Sequence, residues 1–286
     1  MPAVAGVRIV HERDAPVEFF EQQVPDWSGS RGARDPITVR HRLGDVATSG
    51  LRAVLDVPPW STYFADAVGT ASVLFHEVAT RPPHLLVPLR AGYEYEVRYA
   101  HLPHESISHR GTDLAVFALG LASRGEGVVA HSVGFVLDDG PAVLCPGVSG
   151  AGKSTLAQLL ARGGGVTVLS DDRTVLTLEG GQPWLWGTPW PGDAGIASTA
   201  DAALGAIVFL RHGRAVRAAE VQPGEAVRRL LATLALPLWH PAEMDRALAL
   251  VERAVLAAPA LEVSYPPTPE AARWIVDAVR GRIGDV

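Results

Sequence analysis

Cysteine and lysine are almost missing from this 286-residue chain. Its single cysteine, Cys145, cannot close an internal disulfide, which excludes the disulfide-stapled secreted class and points to a reducing, cytoplasmic setting. Lys153 is the only lysine, so every other basic side chain among the 25 Lys and Arg is an arginine. Long basic blocks are absent as well, and the net charge is −6, so neither a nucleic acid nor an anionic membrane is an expected partner. The longest apolar runs, Leu114 to Ala122 and Ala202 to Leu210, reach about half the length of a membrane span. The first residues, Met-Pro-Ala-Val-Ala-Gly-Val-Arg, read as no signal peptide, because a charged lead and a sustained apolar core are both wanting. At 48% hydrophobic and 20% charged, the chain has enough apolar surface for one large core or two modest ones, and two unequal domains are expected.

What is present centres on Gly147-Val-Ser149-Gly150-Ala151-Gly152-Lys153-Ser154-Thr155. Gly147, Gly152, Lys153 and Ser154 fill the fixed positions of the GxxxxGK[ST] loop, in which backbone N–H groups cradle phosphates, the lysine reaches the outer ones and the hydroxyl holds Mg²⁺. The flanks agree. Val143-Leu144-Cys145 reads as an apolar strand entering the loop and Leu156 to Leu160 as a helix leaving it, so the helix N-terminus faces the loop. A compact ammonium suits a position between phosphate oxygens, and the one lysine of an arginine-writing chain stands there.

Before that loop the sequence divides. Residues 1–110 carry short β-like runs, among them Val7 to Val10, Ile37 to Arg40, Leu51 to Leu55, Ser72 to Phe75, Leu85 to Val87 and Tyr93 to Val97, and are expected to form a small β-rich domain. His101, His104, Glu105 and His109 cluster there, but their spacing fits no zinc signature, so a solvated loop is expected. Residues 111–286 are expected to form the second domain. It opens with a helix from Thr112 to Ser123, apolar nearly all round and hence buried. Asp138-Asp139-Gly140 between Val128 to Leu137 and Pro141 to Cys145 predicts a hairpin, which makes the sheet mixed. After the loop helix, ended by Gly163 to Gly165, Val166 to Leu169 predicts a strand. A right-handed crossover then brings Asp171 and Asp172 to the edge where the helix begins. Further on, Val175 to Leu178 suggests a hairpin, Trp186 to Gly192 a rigid loop with two exposed or half-exposed indoles, and Ala206 to Leu210 with Ala215 to Ala218 paired strands around His212-Gly213. Helices at about Gly224 to Leu234, Pro241 to Leu256 and Pro269 to Arg280 complete the chain, with a strand at Leu261 to Tyr265.

Phosphoryl transfer needs the phosphates held, Mg²⁺ placed and an acceptor hydroxyl relieved of its proton. The loop supplies the first, Ser154 and one aspartate the second, and the other aspartate is free to act as base. Trp190 and Thr188 are candidates for lining an acceptor site. The arginines at 211, 214 and 217 with His212 read as a solvated turn or as a contact for a phosphate or an acidic substrate.

In order and spacing, His131-Ser-Val-Gly, the hairpin, Gly147 to Thr155 and Leu169-Ser-Asp171-Asp172 resemble the HPr kinase/phosphorylase catalytic domain. They are still more similar to its short HPr-kinase-like members, some of them linked to peptide modification. The resemblance covers about residues 128–175. It implies an α/β fold with the mixed-sheet P-loop core of the HPr kinase and phosphoenolpyruvate carboxykinase type, ATP and Mg²⁺ as cofactors, and a serine hydroxyl as acceptor. It also implies Asp171 as base, Asp172 with Ser154 on the metal, and His131 near the phosphates. Trp186 to Gly192 stands where the bifunctional enzymes carry a Glu-Val-Arg-Gly type signature, so phosphorylase activity, HPr recognition and the hexameric ring are not carried over. Carboxykinases themselves are much longer. The expected function is an ATP- and Mg²⁺-dependent kinase for a peptide or protein serine, with a homo-oligomer left open. The alternatives are a small-molecule kinase and a nucleotide switch or ATPase without acceptor.

Overall fold

A computed structural model of the chain describes residues 3–13, 19–20, 34–76, 82–101, 107–108, 110–138 and 140–284. His104, Glu105 and His109 of the histidine cluster lie outside them. The architecture is α/β with mixed sheets, in two compact units. No helix among the described residues is long and apolar enough to cross a membrane.

The first unit contains β1 (Ala3–Val4), β2 (Val7–Arg13), β3 (Phe19–Phe20), β4 (Ile37–Leu43), β5 (Arg52–Val57), β6 (Ser61–Ala65), β7 (Ala71–Phe75), β8 (His84–Arg90), β9 (Glu94–Tyr99), β10 (Ile107–Ser108) and α1 (Arg110–Arg124). Its main sheet runs β1-β2-β4-β9-β8-β7-β6-β5, parallel across β2, β4 and β9 and antiparallel elsewhere, while β3 and β10 pair separately. Alternation sets the buried face: Ile37, Val39 and His41 point inward from β4, with Thr38 and Arg40 between them less buried. Helix α1 packs its Val116, Phe117 and Leu121 into this core. Gly120 permits the approach, since a Cβ there would lie 2.4 Å from Ile37 Cδ1.

That contact moves the boundary expected at 110/111. The helix expected to open the second domain belongs to the first unit, which extends to Gly125 and is rejoined by Pro237–Asp245. The helix was read correctly as buried; the sheet that buries it is the one carrying Ile37.

Glu126–Leu236 and Arg246–Val286 build most of the second unit. Its elements are β11 (Gly127–Leu137), β12 (Ala142–Pro146), α2 (Lys153–Gly163), β13 (Val166–Ser170), β14 (Arg173–Glu179), β15 (Gln182–Trp186), β16 (Asp201–His212), β17 (Arg217–Glu220), α3 (Pro223–Leu231), α4 (Pro241–Ala257), β18 (Ala260–Tyr265) and α5 (Pro269–Gly284), the first residues of α4 grouping with the other unit. The expected hairpin is there, β11 pairing antiparallel with β12. β12 is parallel to β16, and β16 to β18. The long strands β11 and β16 also pair with β14 and β15, which closes a circuit β11-β14-β15-β16-β12.

Period-two alternation gives the central strands two buried faces. Val143, Cys145, Val208 and Leu210 meet Leu156 and Leu160 of α2 and Ile275 and Val279 of α5. Ala142, Leu144, Ile207 and Phe209 meet Ala226 and Leu230 of α3 and Leu250 and Val251 of α4. Each fully buried Leu or Ile contributes about 1.5–3 kcal/mol. One pairing differs from expectation: β17 is not the partner of β16, because β18 lies between them. Leu261 and Val263 of β18 are buried, whereas all four residues of β17 are exposed, so the apolar strand takes the interior position and the polar one the edge.

Candidate functional site

Strand β11 organises one edge of the second unit. It runs antiparallel to both β12 and β13, with Ser132 opposite Pro146 and Gly134 opposite Ser170. The C-terminal ends of β12 and β13 therefore emerge at the same end of the sheet, on either side of β11, and Gly147–Thr155 and Asp171–Asp172 share that edge as the crossover argument requires.

The glycine loop is held from several directions. Gly147 N–H donates to His131 O at 3.2 Å, and Ala151 N–H to Val148 O at 3.2 Å. His212, at the end of β16, donates from Nε2 to Gly150 O at 2.6 Å, and the Tyr265 hydroxyl, at the end of β18, donates to Gly152 O at 3.0 Å. His212 and Tyr265 are register partners on parallel strands, so one sheet end presents both braces. Gly152 sits at φ 95°, a conformation that disfavours side chains, and hands the chain into α2 without a side-chain cap. The first N–H of α2 to bond back is that of Leu156, to Gly152 O at 2.9 Å; those of Lys153, Ser154 and Thr155 precede it and face the loop. A helix start of this kind, with its dipole and open donors, favours an anion.

Lys153 is 6% exposed, its ammonium donating to Gly147 O at 2.7 Å and Val148 O at 2.9 Å. Desolvation lowers its pKa, while the nearby Asp172 carboxylate acts the other way. An exposed polar tip would have contributed nothing to the loop's shape; this one folds back to hold it closed. Ser154 is only partly covered, with its hydroxyl at the first turn of α2.

The two aspartates have separate employments. Asp171 is 1% exposed and accepts from Gly192 N–H at 2.8 Å, Ala194 N–H at 2.8 Å and Ile196 N–H at 3.2 Å. Gly192 has no Cβ to obstruct this, and one added there would lie 2.7 Å from Asp171 Oδ2. Asp171 was expected to face an acceptor hydroxyl as base. In the structure three backbone donors occupy its two oxygens and tie it to the 192–196 segment. Asp172 points the other way, as neighbouring residues at a strand end do. Its Oδ1 accepts from Arg173 Nη1 at 2.6 Å and lies 3.2 Å from His131 Nε2. The side chains of Asp172, Arg173 and His131 are 23%, 26% and 32% exposed, so this trio is open to solvent where Asp171 is closed.

The Trp186–Gly192 loop also differs from its expected state. Trp186 and Trp190 are 4% and 6% exposed, and Thr188 is fully buried with its hydroxyl on Arg173 O at 2.7 Å. Trp186 donates from its indole nitrogen to Thr177 Oγ1 at 2.9 Å. These residues are packed inside the unit, where an exposed or half-exposed loop was expected. Sequence reasoning passed over Arg173 and Tyr265, and took His212 with its arginine neighbours without placing it on the loop. Arg173 was adjacent to a singled-out pair, but only the strand order brings His212 and Tyr265 to the loop.

The residues fit a nucleotide polyphosphate with Mg²⁺. Open first-turn N–H groups, one ammonium and one hydroxyl meet the needs of phosphate oxygens, and Mg²⁺ takes only one or two protein ligands beside them. Among the described residues no cluster of three or more His, Cys, Asp or Glu forms a cage that would hold a metal by itself. The chain matches no protein-family model and no curated protein sequence.

Proposed function

We propose that the chain is an ATP- and Mg²⁺-dependent phosphotransferase of the HPr-kinase-like type, acting on a hydroxyl of a peptide or protein. The observation that carries this reading is the meeting, on one sheet edge, of the Gly147–Thr155 loop with a partly exposed carboxylate, Asp172, that is held by Arg173 and His131. ATP supplies the phosphoryl group, and Mg²⁺ neutralises the charge that builds on its oxygens.

The chain's own residues do the rest. The open N–H groups of Lys153, Ser154 and Thr155 and the Lys153 ammonium bind and orient the phosphates, and Ser154 offers its hydroxyl to the metal. Asp172 receives the acceptor's proton as the acceptor oxygen bonds to the γ-phosphorus and the bond to the β,γ-bridging oxygen breaks, leaving ADP. His131 and Arg173 hold that carboxylate in place. Asp171 keeps the neighbouring loop shut against water. The sequence reading placed Asp172 on the metal and Asp171 on the proton; the burial of Asp171 favours moving the proton to Asp172.

A nucleotide switch needs no carboxylate poised for a hydroxyl, so Asp172→Asn separates the classes. Single-turnover transfer from γ-labelled ATP to a panel of serine-containing peptides should fall by about 10²–10⁴, with ATP affinity retained. Affinity and Mg²⁺ dependence falling together would return Asp172 to the metal, and absence of transfer by the unaltered chain to any peptide or metabolite tested would overturn the kinase reading.

A further inference from the structure

Beside the glycine loop lies an open cleft of about 570 Å³ lined by Arg211, His212, Arg214, Arg217, Glu262 and Ser264 with the backbone of β17. Its walls are basic on a chain whose net charge is −6. Glu262 is the carboxylate among its lining residues, and it is taken up by Arg211 of the same cleft at 3.3 Å and by Arg229 at 2.9 Å. Arg214 and Arg217 have no carboxylate partner among the described residues, although most arginines of this unit do have one. Two guanidinium groups left uncompensated at one rim raise a local positive potential against the sign of the whole molecule.

Position gives the cleft a use. His212 lines it and at the same time touches Gly150 of the loop through Nε2 at 2.6 Å, so cleft and loop are neighbours that share this side chain. Its other wall, β17, ends the order of its sheet and is exposed along all four residues, leaving an edge whose outward N–H and C=O groups are open to an extended chain. The volume far exceeds the roughly 30 Å³ that one small ion or water needs and suits several residues of peptide.

We propose that this cleft docks an acidic, extended segment of the acceptor peptide and delivers its hydroxyl to the edge where Asp172 stands. The inference rests on the kinase reading for the word acceptor, but the docking itself does not. Guanidinium forks at 214 and 217 pair with Asp or Glu side chains of the segment, and the β17 edge supplies main-chain bonds that fix its direction. Charge selects the peptide and the strand edge selects its extended form.

The test uses the full chain and two fluorescein-labelled decapeptides of one sequence, with a central Ser flanked by Glu in one and by Gln in the other. Anisotropy titration should show the Glu peptide binding at least about 10-fold more tightly, weakening as NaCl rises from 0.05 to 0.3 M. Arg214→Glu combined with Arg217→Glu should remove that preference, and the milder Arg214→Gln with Arg217→Gln should reduce it. Both variants alter exposed side chains, and the thermal rise with Mg²⁺-ATP should be preserved. Binding of the Glu peptide without any transfer would sink the kinase reading and leave the docking site standing. Transfer to both peptides with equal affinity would do the reverse: the arginines would then serve only to keep an edge strand from pairing with other chains. Loss of the Mg²⁺-ATP response in the charge-reversed variant would assign the cleft to the nucleotide and overturn the proposal.

Discussion

In the first unit the rings of His41 and His84 are enclosed, at 0% and 1% exposure, and both nitrogens of each are used inside the core. His84 Nδ1 donates to Pro82 O at 3.1 Å, which leaves Nε2 to meet Thr112 Oγ1 at 3.1 Å, while its ring stacks between Phe75 and Tyr99 at 4.6 and 5.3 Å. His41 joins His11 at 2.8 Å and the Tyr99 hydroxyl at 3.1 Å. In the second unit Asp172 follows the end of β13, His131 lies within β11 and Ser154 in the first turn of α2, and all three are left partly open. The difference teaches how to sort polar residues. A group satisfied from within specifies a core, and one held on one side and open on the other can meet a ligand. Asp171 and Asp172 put the two cases next to each other in the chain.

Four substitutions break or sharpen this contrast. The largest effect is expected for Lys153→Ala, which removes the ammonium enclosed by the glycine loop. The thermal rise produced by Mg²⁺-ATP should disappear, and that rise corresponds to about 2.7 kcal/mol at a hundredfold excess over Kd. Because Lys153 also closes its own loop, a small drop in the unliganded Tm should accompany the loss. A full rise in the variant would remove Lys153 from the site.

Next comes Asp171→Asn, on the closed side. It replaces an acceptor-only carboxylate with a group that turns an NH₂ toward backbone N–H donors. A loss of about 2 kcal/mol in urea unfolding is expected, together with faster proteolytic cleavage within residues 187–196. A stable variant that has lost transfer alone would restore Asp171 as the base.

Asp113 tests the first unit. Burial lifts its carboxyl from 3.8 to about 7. The folded chain therefore keeps a proton that the unfolded chain releases between about pH 4 and 7. This group makes stability fall as pH rises through that window, by up to about 1.4 kcal/mol per pH unit. Asp113→Asn should flatten that slope in unfolding measured at pH 5, 6, 7 and 8. An unchanged slope would mean that His11, whose Nε2 lies 3.5 Å from Asp113 Oδ1, holds the carboxylate charged instead.

The smallest effect is that of Tyr265→Phe, which deletes one brace on Gly152 O. About 1 kcal/mol of stability should go with the hydroxyl, and ATP affinity should decline several-fold. Unchanged affinity would show that His212 and Lys153 suffice to shape the loop.

Much of the second unit was legible. Apolar alternation announced β11, β12, β13 and β18, Asp-Gly marked the hairpin, and the glycines after Arg162 marked the end of α2. The expected partnership of β16 with β17 failed because nearness in sequence stood in for pairing, whereas burial chose β18 as the neighbour. Pro and Gly around Trp186 and Trp190 suggested a surface loop. Trp186 is buried because it ends β15, opposite Val175 and Asp201, with its indole nitrogen on Thr177, and the chain just beyond Trp190 is tied inward by the N–H groups of Gly192, Ala194 and Ile196 on the Asp171 carboxylate. Strand β6 was missed, its Ser61 to Ala65 being short and mixed in polarity.

By itself the sequence determined the local chemistry of this protein: glycines at the φ-permissive points of one loop, its only lysine inside that loop, an apolar strand before it and a helix after it. These follow from steric and hydrogen-bonding rules that reach only a few residues along the chain. Tertiary structure decided which side chains share the loop's surroundings, that Asp171 is closed while Asp172 is open, and that α1 belongs with Ile37. Those outcomes depend on register and burial between segments far apart in the sequence. Only the packed chain, in which each buried N–H must find its acceptor, selects among them.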